Sequence, residues 1–485
     1  MHVDGFEVTY RAVEARERRL DGRIFVGVTS TGIYCRPVCP VPMPKREHVR
    51  FFTAAAAAEG AGFRACRRCR PETSPDSPDW DVRADLVGRG LRLIAEGVVD
   101  RDGIDGLAGR LSVGRRHLHR AFVQELGAGP LSVARSRRAA LAKQLLEQTD
   151  LTSTDVAFAS GFSSVRSYHD TLRRVYGRTP TEIRSRRHPH DARVDAPRLR
   201  LAYRPPLAAD RLLDFLEARA IPGVEAVASG WYSRAVRSPA GHPVVIEAEP
   251  DAVEPIVALR VIGVGDDVPQ LAAVVQSVRR LFDLDADPEA IDEALCRDPA
   301  LRRLVSAAPG TRLPGTTDGF ELAVRAIVGQ QVSVVGARTT LGRIAERFGE
   351  PLPSRAGQIV RLFPTAERLA DARGDAFGMP SARADAIVAV ARAVATGALD
   401  LSGSADLGST IEALRSIRGV GAWTASYVAM RALRDPDAFP AGDLGVRHGF
   451  AALELADDLA SIRERAERWR PWRGYAAMHL WQRAS

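Results

Sequence analysis

"LRSIRGVGAWTASYVAMRALRDPDAFPAGDLGVRHGF", residues 414–450, decides the fold of the carboxyl half. It starts as a helical pattern, breaks at "RGVGA" and resumes as a helix from Trp423. Gly419 and Gly421 let the turn come close to another backbone. The amides that open the second helix lack intrahelical partners and can hold a phosphate without any side-chain charge. An ordinary helix corner would carry the same helix–glycine–helix pattern. The sequel is more specific: Asp443 follows the loop "FPAGD", twenty residues after Trp423.

The whole chain has 485 residues, too many for one core, and three or four domains are expected. A 45% hydrophobic and 26% charged composition is that of a soluble globular protein. Five cysteines argue against a disulfide-built secreted chain. The start, "MHVDGFEVTYRAVEARERR", lacks the apolar core of a signal peptide, and no run of 18 apolar residues occurs. A cytoplasmic protein with no membrane partner is expected. Residues 1–200 carry 35 Lys and Arg against 24 Asp and Glu, whereas residues 201–485 carry 33 against 36. The basic front directs attention to nucleic acid, although an arginine-rich solvated surface would give the same surplus.

"PETSPDSPD" at 71–79 and "RRHPHDARVDAPR" at 186–198 read as linkers. They divide the chain into units 1–75, 80–187, 196–282 and 283–485. In the third unit, "RLRLAYRPPL" and "GHPVVIEAEPDAVEPIVALRVIG" alternate apolar and polar residues and are broken by Pro and Gly, so strands are expected. Helical periodicity dominates the fourth.

The second unit contains an approximate repeat. "LAGRLSVGRRHLHRAFVQELGAGP" runs from Leu107 and "VAFASGFSSVRSYHDTLRRVYGRTP" from Val156, and both finish on Gly-x-x-Pro. Each reads as a short helix, a tight turn and a longer helix, with Ala108 and Ala157 suited to a close crossing. Arg116, His119 and Arg120 share one face of the first long helix. Arg166, His169 and Asp170 share one face of the second, while Phe122 and Leu172 point to the core. A helical bundle with a solvated basic face is the plainer reading. The duplication favours tandem helix-turn-helices, and residues 80–187 resemble the AraC-type DNA-binding domain.

Cys35-x3-Cys39, a 26-residue gap and Cys66-x2-Cys69 form a four-thiolate zinc pattern. Such a site can simply hold a small domain folded. It can also keep a thiolate nucleophilic at neutral pH. The surrounding segments "DGRIFVGVTSTGIYCRPVCP", "KREHVRFF" and "AGFRACRRCRP" resemble the amino-terminal domain of the Ada-type adaptive-response regulators over residues 15–75. That resemblance implies one zinc held by Cys35, Cys39, Cys66 and Cys69, with Cys35 accepting a methyl group from a DNA methylphosphotriester. It places Arg36, Lys45, Arg46, Arg67 and Arg68 toward phosphate. Methylating Cys35 removes one negative charge, which lowers repulsion with the DNA backbone and should tighten promoter binding. The "PCHR" motif of the family's second methyltransferase domain is absent, and Cys296 in "EALCRDP" reads as core. Repair of O6-alkylguanine is therefore not expected.

The hairpin stretch, with Asp443 after it, resembles the helix-hairpin-helix base-excision glycosylases. More closely, residues 196–485 resemble 3-methyladenine DNA glycosylase II through "FLEARAIPGVEAVASGWYSRAV", "LFDL", "LPGTTDGFELAVRAIVGQQVS" and "WRPWRGYAAMHLW". The resemblance implies Asp443 as catalytic carboxylate, Trp423, Tyr427 and Trp481 as base pocket, and Gly419 and Gly421 as DNA contacts. Gln331 stands where the family places an apolar wedge, and a monovalent cation is implied at the hairpin. Strand-cutting relatives carry a lysine at the position of Trp423, so a monofunctional glycosylase using water is expected.

The implied fold class is multidomain α+β. It comprises a small zinc domain, an all-α tandem helix-turn-helix domain, an α+β domain with an antiparallel sheet and an all-α helix-hairpin-helix glycosylase domain. The implied partners are double-stranded DNA, alkylated or promoter, and RNA polymerase, with the chain acting as a monomer. Two other readings stay open. One is a methylation-triggered regulator whose glycosylase half only binds DNA. The other is a repair enzyme whose front half is a zinc-stabilised DNA tether.

Overall fold

The computed structural model of the chain describes residues 3–17, 20–71, 86–185, 198–238, 240–251, 253–263, 271–402 and 405–484. Nearly all of both expected linkers, 71–79 and 186–198, lies outside the described residues. By packing the chain forms two units, Met1–Tyr203 with Val264–Gln276, and Arg204–Gly263 with Ser277–Ser485.

The first unit begins with helix Val3–Glu14 and a small sheet. Strand Phe25–Val28 pairs antiparallel with both Val49–Phe52 and Ile33–Cys35, and the last pairs parallel with Arg64–Ala65. A Cβ on Gly27 would lie 2.6 Å from the Phe52 ring, so the central strand needs its glycine. One buried cluster there comprises only Tyr10, Val13, Val26 and Val49. A core that small contributes little stability by itself. The sheet region gains further support from helix Ala55–Gly60, whose Ala56 joins the same core as Val87, Leu107 and Phe122. Beside it, Glu59 accepts hydrogen bonds from the Tyr34 hydroxyl at 2.9 Å and from Ser136 at 3.1 Å. Burial pushes the Glu59 carboxyl up to about 7.

The repeat folds as two helix-turn-helices. Val98–Arg110, broken at Gly103 with φ 68°, precedes Arg115–Leu126. Ser153–Ala159 precedes Val165–Tyr176. Ala108 and Ala157 are buried, and Leu118, Phe122, Tyr168 and Leu172 anchor the longer helices without any exposure. The duplicated Gly-x-x-Pro has a concrete cause. Gly127 and Gly177 take left-handed φ of 68° and 63° to end the long helices, and Pro130 and Pro180 open the next ones.

In the second unit the expected strands Pro243–Pro250 and Ile256–Ile262 form an antiparallel meander with two further ones, Glu225–Ala228 and Trp231–Arg237. Burial alternates along the last, as its sequence pattern requires. Helix resumes at Leu271, ahead of residue 283. A hairpin, Pro351–Ala356 with Ile359–Arg361, interrupts the helices. Its first strand is mostly exposed and so shows no apolar alternation to read. Cys296 caps helix Pro288–Leu295 and is half-buried, so it is not a core residue.

A buried ion cluster ties the sheet to the helix that leads to the site. Arg234 bridges Glu225 at 2.8 Å and Glu321 at 2.5 Å, and Tyr232 donates to Glu225 at 2.6 Å. Arg325 bonds both carboxylates and also donates to the Arg219 carbonyl at 2.8 Å. Burial alone would raise Glu225, but Arg325 and Arg234 outweigh it and hold the carboxyl down at about 2. Two carboxylates against two guanidiniums leave the cluster neutral. Removing any one partner would strand a buried charge.

Candidate active site and metal centre

Asp443 opens helix Leu444–Ala452 as its N-cap, and its Oδ1 accepts the Val446 amide at 3.0 Å. Two indoles close on the same carboxylate. Trp481 Nε1 donates to Oδ1 at 2.7 Å, and Trp423 Nε1 donates to Oδ2 at 2.7 Å. The Arg219 guanidinium lies close enough to interact electrostatically with Asp443. All three hydrogen bonds that fix the carboxylate come from neutral donors.

The expected pocket aromatics come together around it. Trp423 stacks on Tyr427 with centroids 5.5 Å apart, and Tyr427 lies 6.2 Å from Trp481. Three further residues complete the wall. Phe215 stacks on Trp481 at 6.3 Å, and the Arg219 guanidinium lies 3.9 Å from the Phe215 centroid. Arg431 donates to the Tyr427 hydroxyl at 2.7 Å and to the carbonyls of Pro314 and Gly315. Burial would raise the Tyr427 phenol, but Arg431 and Arg219 outweigh it and hold it below its ordinary value. Two guanidiniums thus stand beside the aromatic set. Phe215 and Arg219 lie in the quoted segment "FLEARAIPGVEAVASGWYSRAV" but take no place in the site on sequence grounds, because helix Ala209–Arg219 shows only the usual amphipathic pattern.

The hairpin lies between helices Leu407–Ser416 and Ala422–Arg431. Its two glycines have different duties. Gly419 has φ +92°, and a Cβ there would meet Ala386 at 2.9 Å. Gly421 is exposed, with nothing within 4 Å of the position a Cβ would take, and it caps the second helix without a side-chain hydrogen bond. The first amides of that helix are therefore free to meet an anion. For the implied monovalent cation, residues 417–421 supply only backbone carbonyls, a donor type that suits an alkali ion. The Gly419 carbonyl already accepts from Gln330 Nε2. Gln331 is exposed with φ +56°, at the head of the exposed apolar residues Val332, Val334 and Val335.

In the first unit the Sγ atoms of Cys35, Cys39, Cys66 and Cys69 all lie within 4.8 Å of one another. A tetrahedral zinc with bonds of about 2.3 Å would set them about 3.8 Å apart, so the set fits. Cys35, Cys39 and Cys66 are buried and Cys69 is partly exposed. As thiols they share protons unequally. Hydrogen bonds with Cys39 and Cys69 push Cys35 up, while those with Cys35 and Cys69 hold Cys39 down. The backbone amide of Arg36 donates to Cys69 Sγ at 3.3 Å.

The cations around this centre divide into two groups. Arg67, Arg68 and Lys45 are exposed. Arg36 is instead held by Asp21, with Nε 2.8 Å from Oδ1, so its guanidinium is tied within the domain rather than turned freely to phosphate. Arg46 lies 3.5 Å from Glu7 and over the Tyr10 ring. On the long helices of the repeat, Arg116, His119, Arg120 and Arg166 are exposed, and His169 is half-buried against Tyr168.

Four family models match successive parts of the chain. They are the metal binding domain of Ada at residues 8–72, a helix-turn-helix domain at 107–186, the AlkA N-terminal domain at 198–318, and the HhH-GPD superfamily base excision DNA repair protein at 324–473. A probable bifunctional transcriptional activator/DNA repair enzyme AlkA of Mycobacterium tuberculosis is 45% identical over 486 residues, covering 99% of this chain and 97% of that one. DNA-3-methyladenine glycosylase 2 of Escherichia coli is 37% identical, covering 58% of this chain and 95% of its own. Among solved structures, the 3-methyladenine DNA-glycosylase from Archaeoglobus fulgidus matches with a TM-score of 0.52 at 25% identity, over 59% of this chain and 98% of that one.

Proposed function

The chain belongs to the family of bifunctional transcriptional activator/DNA repair enzymes AlkA, and from that premise we propose that it joins two responses to DNA alkylation. The second unit excises alkylated purines of the 3-methyladenine type as a monofunctional glycosylase. The first senses methylphosphotriesters through Cys35 and regulates transcription. The observation that carries the repair reading is Asp443, clamped by two indole N–H groups against a wall of aromatic rings.

The chemistry asks little of the protein. An alkylated purine is cationic and already a good leaving group. Once flipped from the stack it can be held by the faces of Trp423, Tyr427 and Trp481, each good cation–π contact contributing on the order of 1–2 kcal/mol. As the glycosidic bond breaks, its electron pair leaves with the base and positive charge grows on the sugar. Asp443 stabilises that charge and orients water toward the anomeric carbon. Trp423 offers no amine to form a Schiff base. Gly421 and the amides after it grip a phosphate, and Gln331 fills the space the base leaves.

At the other end, the Cys35 sulfur attacks the methyl carbon of a phosphotriester. A sulfur–carbon bond forms as the carbon–oxygen bond breaks, and the phosphodiester departs with the electron pair. Zinc held by the four cysteines supplies the thiolate state at neutral pH. Arg67, Arg68 and Lys45 hold the flanking phosphates. The faces carrying Arg116, His119 and Arg120, and Arg166 and His169, enter successive stretches of major groove. With two reading helices on one chain, the protein binds its operator as a monomer and presents a surface to RNA polymerase. The four units 1–75, 80–187, 196–282 and 283–485 divide these tasks. Among the described residues no helix is long and apolar enough to cross a membrane.

Monofunctionality has its own test. With alkylated duplex DNA the protein should release free base and leave an intact abasic strand, and borohydride should trap no protein–DNA adduct. A trapped adduct would place an amine in the mechanism and overturn the assignment of water as nucleophile.

A further inference from the structure

Next to the wedge stands a second glutamine with a different environment. Gln330 is half-buried, and its Nε2 donates to the Gly419 carbonyl at 3.0 Å and to Thr424 Oγ1 at 2.9 Å. A carbonyl can only accept, so the amide nitrogen must face the hairpin, and these two bonds use both of its hydrogens. The partners belong to the hairpin turn and to the helix that follows it, 89 and 94 residues further along the chain. Thr424 is 2% exposed, and Gly419 is fixed as glycine by its φ of +92° and by Ala386, 2.9 Å from where a Cβ would stand.

The next residue carries a second, independent sign. Gln331 holds a left-handed φ of +56°, a conformation unfavourable for a side chain with a Cβ and kept only where the surroundings enforce it. The two bonds of Gln330 hold the loop at the residue just before the strained one. On the far side Ser333 caps helix Val334–Phe348 by accepting the Gly336 amide at 3.1 Å. Gln331 is thus held between two anchored neighbours.

We propose that Gln330 is a positioning residue that clasps the wedge loop to the hairpin, so that Gln331 enters the duplex at a fixed distance from the phosphate the hairpin grips. The inference rests on the glycosylase reading above. The clasp couples two elements that act on DNA at different points, the phosphate grip and the filling of the stack. Its loss leaves Asp443 and the aromatic wall untouched and blurs only the register between grip and wedge. Base opening should suffer and bond cleavage should not.

The test uses the full-length protein and the Gln330→Met variant, which keeps the length of the side chain and removes its donors. Single-turnover excision is measured on a fully paired alkylated duplex and on the same lesion opposite an abasic site, where less stacking and no pairing must be broken. The clasp predicts a fall of about 10–100-fold on the paired duplex and about threefold or less on the pre-opened one. Equal losses on both substrates, or no loss on either, would overturn it. A stability cycle of Gln330→Met and Thr424→Val reads the bond without any substrate. Non-additive midpoints are expected, and strictly additive ones would reject the clasp. If the wild-type protein excised nothing, the glycosylase reading would fall while the stability cycle still decided the clasp.

Discussion

Asp443→Asn should lower single-turnover base release from alkylated duplex by about 10²–10³-fold or more while leaving DNA affinity nearly unchanged. The substitution is close to isosteric, and asparagine is as good an N-cap as aspartate, so helix Leu444–Ala452 keeps its start. The change is electrical. The carboxylate now accepts Trp481 and Val446 at one oxygen and Trp423 at the other. An amide can satisfy only one of these sides, because its NH2 would face an indole N–H. Both the negative charge and one arm of the clamp are lost. Heat unfolding should hardly move. A rate within tenfold of wild type would mean that the aromatic wall and the hairpin carry the catalysis without the carboxylate.

The second large effect concerns metal. Replacing Cys39 by serine should abolish stoichiometric zinc and unfold the sheet region around residues 25–65, seen as protease cleavage there and as metal content near zero. Structural zinc contributes on the order of 10–16 kcal/mol to folding in small domains. The apolar cluster of Tyr10, Val13, Val26 and Val49 cannot replace that. Excision by the second unit should persist, since the unit from Arg204 onward, apart from Val264–Gln276, packs as a body of its own. Full zinc retention in the variant would show that three sulfurs suffice, and would shift attention to which of the four is the replaceable ligand.

Much of this was legible in the sequence, for reasons that differ by site. Cysteine spacing is local, so Cys35, Cys39, Cys66 and Cys69 could be read from 35 residues of chain, and the sulfurs meet. The repeat was legible because Gly-x-x-Pro records two successive backbone events, a left-handed helix stop and a proline helix start. The helix–glycine–helix turn was legible from its pattern, while Asp443 took its role from the resemblance to the helix-hairpin-helix glycosylases. The clamp was not, because spacing brings an indole near a carboxylate without saying which edge faces it. Phe215 and Arg219 come from a helix about 200 residues before the hairpin, on a pattern any amphipathic helix shows. Arg36 looked like a phosphate ligand, and only the fold reveals Asp21 beside it. Gln330 passed unnoticed because its partners lie almost 90 residues away.

The central claim is that one chain carries two separate chemistries. It is tested most directly with DNA bearing radiolabelled methyl groups, incubated with wild type, Asp443→Asn and Cys35→Ser. The account predicts that wild type releases labelled free purine and also takes label onto Cys35, located by peptide mass. Asp443→Asn should keep only the transfer to Cys35, and Cys35→Ser only the release of purine. Loss of both activities in either variant, or label reaching a residue other than Cys35, would contradict the account.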